Sequence, residues 1–335
     1  MTRGIGAVEP IQQHVPEWLA VGIALVTQLG DLWFLTLLLL GLYWTRPAIR
    51  ADVATVAAIA LGGIGLYRGW KHVFELPRPD EPLLDPALLP WFVEPLYLLT
   101  ASASGYGFPS GHATVSTIVY VGLAIVLGVG TRRQRVAVAW AIVCVVSLSR
   151  VALGVHYLVD VVVGVLLGAA LLFVALELLE RSSMDRPTVA FGLAVPLGAF
   201  YLVASGVELE SVVLLGAILG ALAGWQLVQF GRIVIEVDRP SAAVRPLVLR
   251  AGIALLAIAP IVVALEAFPL LRGSPYAVGG LVGLFAVAAV TLPVIQYSPR
   301  ARRAVKAIQF WASTIIRTAA AVLRGLWRRA RTDRD

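Results

Sequence analysis

Residues Ser149–Asp160 read SRVALGVHYLVD, which sets an arginine, a histidine and an aspartate into a run otherwise built for lipid. Ionisable side chains at membrane depth are costly, and several together point to a functional site. The same stretch decides the fold. Apolar runs flank it near 136–152 and 157–179, so it reads as a short connection between two membrane-crossing helices.

Working outward, nine apolar runs approach the roughly 20 residues that a hydrocarbon core requires. They lie near 18–44, 51–70, 112–129, 136–152, 157–179, 188–204, 211–230, 248–267 and 276–296. Gln28, Gly30 and Asp31 interrupt the first and could divide it into an interfacial and a spanning piece, and the fourth is short. Of 335 residues, 59% are hydrophobic and 14% charged, and the mean hydropathy is +0.86. A soluble domain carries about a quarter charged residues. The expected fold is therefore an all-α polytopic transmembrane bundle of about nine spans. The single cysteine, Cys144, reads as core filling and excludes an internal disulfide.

The net charge of +7 takes its meaning from where the charges fall. Cytoplasmic loops carry the excess of Lys and Arg. With the N-terminus outside, Arg46, Arg50, Arg132, Arg133, Arg135, Arg181, Arg186, Arg232, Arg239, Arg245, Arg250 and the C-terminal tail all fall on the cytoplasmic side. The six exceptions are Arg3, Arg68, Lys71, Arg78, Arg150 and Arg272, four of which cluster around the candidate site. The chain then divides into residues 1–186, which hold the chemistry-bearing motifs, residues 187–297, which add helices, and a basic tail at 298–335. That tail mixes arginines with Trp311, Ile315, Leu323 and Trp327, the pattern of an amphipathic helix on anionic headgroups. No recognition motif for nucleic acid accompanies the charge. The N-terminus lacks the pattern of a removed signal peptide.

Three stretches converge on one chemistry. KHVFELPRP, Lys71–Pro79, offers a point-like ammonium at Lys71 and a forked guanidinium at Arg78, both suited to phosphate oxygens or, taken alone, to snorkelling toward water. FPSGHAT, Phe108–Thr114, reads as a turn and a helix start, with Ser110 as N-cap, Gly111 allowing close backbone approach to an anion and His112 beside it as a proton donor. In the third stretch His156 and Asp160 are i and i+4, so a carboxylate on the same helical face can fix the imidazole tautomer and leave the other nitrogen as a nucleophile. A buried, satisfied His–Asp pair is the bland alternative. His72 points to a different side and receives no role. Lys71, Arg78 and Arg150 would repel a divalent cation and attract an oxyanion, so no metal and no cofactor is expected. Between the first two stretches, LLDPALLPWFVEPLYLLT is too rich in proline to span and suits the membrane boundary.

The order K-x6-R-P at Lys71, Arg78 and Pro79, P-S-G-H at 109–112, and S-R-x5-H-x3-D at Ser149, Arg150, His156 and Asp160 resembles the type 2 phosphatidic acid phosphatase superfamily. That superfamily includes lipid and polyprenyl diphosphate phosphatases and shares its pocket with vanadium haloperoxidases. The resemblance covers roughly residues 18–180 and implies a core of about six spans. It also implies that His156 attacks phosphorus to give a phosphohistidine, with Asp160 orienting it, and that His112 protonates the leaving oxygen and later activates water. Lys71, Arg78, Ser110, the Gly111 backbone and Arg150 would hold the phosphoryl oxygens. The expected activity is a metal-independent phosphatase acting on a lipid phosphate at the extracytoplasmic face of the cell membrane. A phosphotransferase, a lipid transporter or scaffold using the same pocket, or a vanadate-dependent haloperoxidase are the alternatives. Glu208, Glu210 and Arg272 fall in outer loops without an assigned chemistry.

Overall fold

The computed structural model describes residues 12, 17–79, 83, 94, 97, 105–236, 240–266 and 274–297. The proline-rich segment expected at the membrane boundary falls almost wholly outside these residues, as do the basic tail and Arg272. Ten α-helices account for the described chain: α1 Glu17–Thr27, α2 Leu32–Thr45, α3 Arg50–Phe74, α4 Gly111–Val126, α5 Arg132–Ala152, α6 Leu158–Arg181, α7 Arg186–Ala204, α8 Leu209–Glu236, α9 Pro240–Glu266 and α10 Pro275–Tyr297. Seven are long and apolar enough to cross a membrane, and the pair α1–α2, bent by 48°, makes an eighth, broken span. Leu166, Phe173, Leu255, Leu256 and Phe285 stand exposed on the outside of the bundle. Such large apolar groups suit lipid rather than water. The chain is a multi-pass membrane protein.

Each of the nine apolar runs is helical, with two corrections of length. The fourth run is not short. Thr131 caps it, its Oγ1 accepting from the Gln134 amide at 3.3 Å, so Arg132, Arg133 and Arg135 belong to the first turn of a 21-residue helix. The third run is the short one, because Leu127 leaves the helix in extended backbone. A wider, π-type turn at Thr117–Val121 lies inside it. Cys144 is also corrected: it is exposed on the outward face of α5 and fills no core.

Close crossings position the site. On α6, a Cβ at Gly164 would lie 2.6 Å from the Ser110 carbonyl oxygen, and one at Gly168 would lie 2.5 Å from that of Thr114. These small residues let α4 and α6 touch backbone to backbone. The break between α1 and α2 is seated in the same way, since a Cβ at Gly30 would meet Val146 Cγ1 at 2.5 Å and His112 Cδ2 at 3.0 Å. The Tyr120 hydroxyl donates to the Leu29 carbonyl at 2.7 Å and holds that break against α4.

At the opposite end, the helices after residue 186 are tied to the core by polar groups. Asp185 caps α7, takes the Trp225 indole N–H at 2.6 Å and pairs with Arg250 Nη2 at 2.6 Å. Arg250 and Gln226 each donate to the Thr188 hydroxyl oxygen, at 2.9 Å and 2.8 Å. Arg250, counted from sequence among the cytoplasmic-side charges, is thus a partner inside the bundle. Burial alone would push Asp185 up. The bonds from Trp225 and Thr188 and the charge of Arg250 outweigh it and hold the carboxyl below its usual range. Tyr43 Oη and Trp44 Nε1 add bonds from α2 to the Val290 and Ala289 carbonyls of α10, at 2.8 Å and 3.0 Å.

Candidate active site

The end of α3, the start of α4 and the α5–α6 corner meet around a cavity of about 600 Å³, with Lys71, Arg78, Gly111, His112, Arg150 and His156 in its lining. Three stretches widely separated in sequence therefore come together. Ser110 is buried just behind this wall. Its amide donates to the Asp160 carbonyl at 2.9 Å.

The corner is built by a tight reversal. Gly154 adopts φ of 70°, which favours glycine, and the amides of Val155 and His156 both donate to the Arg150 carbonyl at 3.2 Å. The helix resumes only at Leu158. His156 and Asp160 therefore do not share a helical face as the spacing suggested. The Asp160 carboxylate instead caps α6, taking the Tyr157 amide at 3.0 Å, and its Oδ2 lies 3.6 Å from His156 Nδ1. The pairing is reached through a cap and a turn.

The other imidazole nitrogen is defined by its neighbour. Arg78 Nη1 lies 3.1 Å from His156 Nε2 and donates to the Val155 carbonyl at 2.9 Å. A guanidinium can only donate, so Nε2 accepts and carries the lone pair, which leaves the proton on Nδ1, the side of Asp160. Burial, followed by the positive charges of Arg78, Arg150 and Lys71, holds His156 well below the usual imidazole range. The ring is neutral, with the Nε2 lone pair directed at the Arg78 guanidinium. Burial also lowers Arg78, against the raising effect of Asp160. Lys71 Nζ donates to the Tyr106 carbonyl at 2.7 Å, and Arg150 Nη1 donates to Thr27 Oγ1 at 3.0 Å.

Ser110 occupies the N-cap position of α4 as expected, but its side chain makes no cap bond. Its Oγ is buried without a hydrogen-bond partner among the described residues. The Gly111 backbone borders the cavity and has room for no larger residue, since a Cβ would stand 2.6 Å from the Tyr67 ring.

The lining residues not anticipated include Asp31, His72, Tyr201, Glu208 and Glu210. Asp31 Oδ1 stands 2.9 Å from His112 Nε2, and the Asp31 side chain makes no cap bond to its own helix α2. The signal existed, a lone carboxylate in an apolar run. His72, given no role from its helical position, also lines the cavity and lies 3.6 Å from Glu208 Oε2. Glu208, Glu210 and Tyr201 reach the same cavity from the α7–α8 region. Nothing local marks those three, because their proximity depends on how α7 packs along α3. An apolar crevice of about 360 Å³ between α2, α3, α8 and α10 begins at Leu32, which also borders the 600 Å³ cavity.

The family model described as the PAP2 superfamily matches residues 34–184. An undecaprenyl-diphosphatase of Sulfolobus acidocaldarius is 33% identical over 145 residues, which cover 43% of this chain and 61% of that relative. A transmembrane PAP2-type phosphatidylglycerolphosphate phosphatase from Bacillus subtilis, known from its crystal structure, is 26% identical, with a TM-score of 0.42 over 52% of this chain and 86% of the other. The segment that matches the PAP2 superfamily model, residues 34–184, holds every motif residue from Lys71 to Asp160.

Proposed function

We propose that this protein is a membrane phosphatase that hydrolyses a lipid phosphate or polyprenyl diphosphate. The observation that carries the reading is the orientation of His156, whose neutral Nε2 faces Arg78 inside a cavity that Lys71 and Arg150 make cationic. Nε2 attacks phosphorus and forms a phosphohistidine, while the Asp160 carboxylate keeps the proton on Nδ1 and stabilises the ring as it becomes positive. Lys71, Arg78, Arg150, Ser110 and the Gly111 amide hold the phosphoryl oxygens, since phosphoryl transfer is mostly positioning and charge stabilisation. His112 protonates the leaving oxygen and then takes a proton from the water that releases phosphate. No metal is assigned a step.

The lipid character of the substrate is supported by the crevice that starts at Leu32 and offers an apolar path for a tail. The name of the Sulfolobus relative makes a polyprenyl diphosphate the first compound to try. Regarding sidedness, Arg46, Arg132, Arg133, Arg135, Arg181 and Arg186 border the end away from the cavity. By the distribution of positive charge that end is cytoplasmic and the cavity opens on the outer face. The helices after residue 186 form a second unit packed on the catalytic segment, and the basic tail lies on anionic lipid.

Purified protein in detergent should release phosphate from such lipids. Both His156→Ala and His112→Ala should lose that activity while keeping the wild-type thermal unfolding profile. An acid-labile phosphoprotein should accumulate when His112 is replaced and the leaving group is good. Activity near wild type in His156→Ala, or strict dependence on an added divalent metal, would overturn the mechanism.

A further inference from the structure

Arg68 is a cation in the cavity that the chemistry above leaves unused. It precedes Lys71 by three residues on α3, so the two lie on neighbouring turns of one face, with Cβ atoms about 5–6 Å apart. Its Nη1 pairs with Glu210 and lies 3.3 Å from the Tyr201 hydroxyl, and its Nε lies 3.4 Å from the Tyr67 hydroxyl. The guanidinium is thus held from two sides by phenols and closed from the third by a carboxylate.

That carboxylate is the loose member of the group. The Glu210 side chain is 64% exposed, against 29% for Arg68. A pair with one partner in water is weak and screened, so Glu210 can turn away while Arg68 stays in place. A guanidinium released in this way presents a planar fork suited to two phosphate oxygens.

We propose that Arg68 binds the second phosphate of a diphosphate substrate, with Glu210 as the counter-ion that the substrate displaces. The proposal rests on the phosphatase reading of this cavity and narrows its substrate class to lipid diphosphates. The terminal phosphoryl group sits among Lys71, Arg78 and Arg150, and the inner phosphate, which bears the lipid, reaches Arg68. As the bond between His156 Nε2 and the terminal phosphorus forms, the bond from that phosphorus to the bridging oxygen breaks and its electron pair passes to the oxygen. Negative charge therefore grows on the departing lipid monophosphate, beside Arg68. Water then cleaves the phosphorus–nitrogen bond to give inorganic phosphate and free histidine. With a lipid monophosphate the leaving group is an alcohol, and no phosphate stands opposite Arg68.

The test uses the full-length protein in detergent and one isoprenoid alcohol supplied as its monophosphate and as its diphosphate. Arg68→Ala should lower the ratio of kcat/KM for diphosphate over monophosphate by on the order of 10²-fold, the usual effect of losing one charge-stabilising donor. Arg68→Lys should recover part of the ratio, and Glu210→Gln should raise it by lowering KM for the diphosphate. If Arg68→Ala does not fold, the Arg68→Lys and Glu210→Gln ratios still decide. Equal losses on both substrates, or an unchanged ratio in these variants, overturn the proposal. His156→Ala should lose both activities, and if it does not, the phosphatase reading fails instead.

Discussion

Asp31 Oδ1 lies 2.9 Å from His112 Nε2, and Gly30 is what lets the two approach. A carboxylate that spends no bond on its own helix cap is free to orient the ring and to stabilise its protonated form. Asp31→Asn should lower kcat for an alkyl phosphate by about 10² or more, the range of a general acid, with KM nearly unchanged. p-Nitrophenyl phosphate, whose leaving group departs without a proton, should lose far less. Equal losses on both substrates would reduce Asp31 to a packing residue.

Arg78 does three jobs with one guanidinium. It donates to the Gly105 and Val155 carbonyls, at 3.1 Å and 2.9 Å, and meets His156 Nε2 at 3.1 Å. Lysine keeps the charge but not the fork. Arg78→Lys should therefore lose roughly 10-fold to 10²-fold in kcat/KM, about 1–3 kcal/mol as a charged hydrogen bond is weakened. Steady-state kinetics on the purified variant would show it, and wild-type values would contradict the assignment.

Much of this arrangement can be read from the chain itself. The nine apolar runs expected as spans became ten helices among the described residues. Seven of these, with the bent α1–α2 pair as an eighth span, are long and apolar enough to cross a bilayer, while α4 is too short. Lys71, Arg78, His112, Arg150 and His156 met because their stretches all end at one face. What sequence obscured has local causes. Arg132, Arg133 and Arg135 look like loop, yet the Thr131 cap draws them into a helix. His156 and Asp160 look like helical neighbours, yet the helix starts two residues after the histidine, so the contact runs through a cap. Glu208, Glu210 and Tyr201 carry no pattern at all, since only the packing of α7 on α3 brings their end of the chain to the cavity.

The backbone contact between α4 and α6 should be intolerant of side chains. At Gly168 a methyl group would meet the Thr114 carbonyl oxygen at 2.5 Å and Thr117 Cβ at 3.0 Å. Backbone cannot swing aside as a side chain can. Gly168→Ala should destabilise by about 1–3 kcal/mol, and Gly168→Leu should prevent correct assembly. Thermal unfolding in detergent measures the first and the yield of monodisperse protein the second.

The neutral state of His156 has a pH signature. Its folded value lies well below the ordinary 6.5, so the imidazole stays unprotonated as pH falls through 6.5. The acid limb of kcat/KM, which reports the free enzyme, should lie on the acid side of that value. Lys71→Met removes one of the charges that depress His156 and should move the limb upward. Below pH 6.5 the unfolded chain takes up a proton that the folded ring refuses, so stability should fall with pH over the same interval.

The joint made by Asp185, Thr188, Trp225, Gln226 and Arg250 bears on where the folding unit ends. Water can replace a lost partner on a soluble surface, but inside a bilayer it cannot. A chain cut after Arg186 would strand the Asp185 carboxylate at the membrane without its indole and guanidinium donors, and at the other face it would strip Arg68 of Glu210. The motifs finish at Asp160, but the helices that keep polar groups around them satisfied continue well past it. Catalysis and assembly thus draw their boundaries at different places in the same chain.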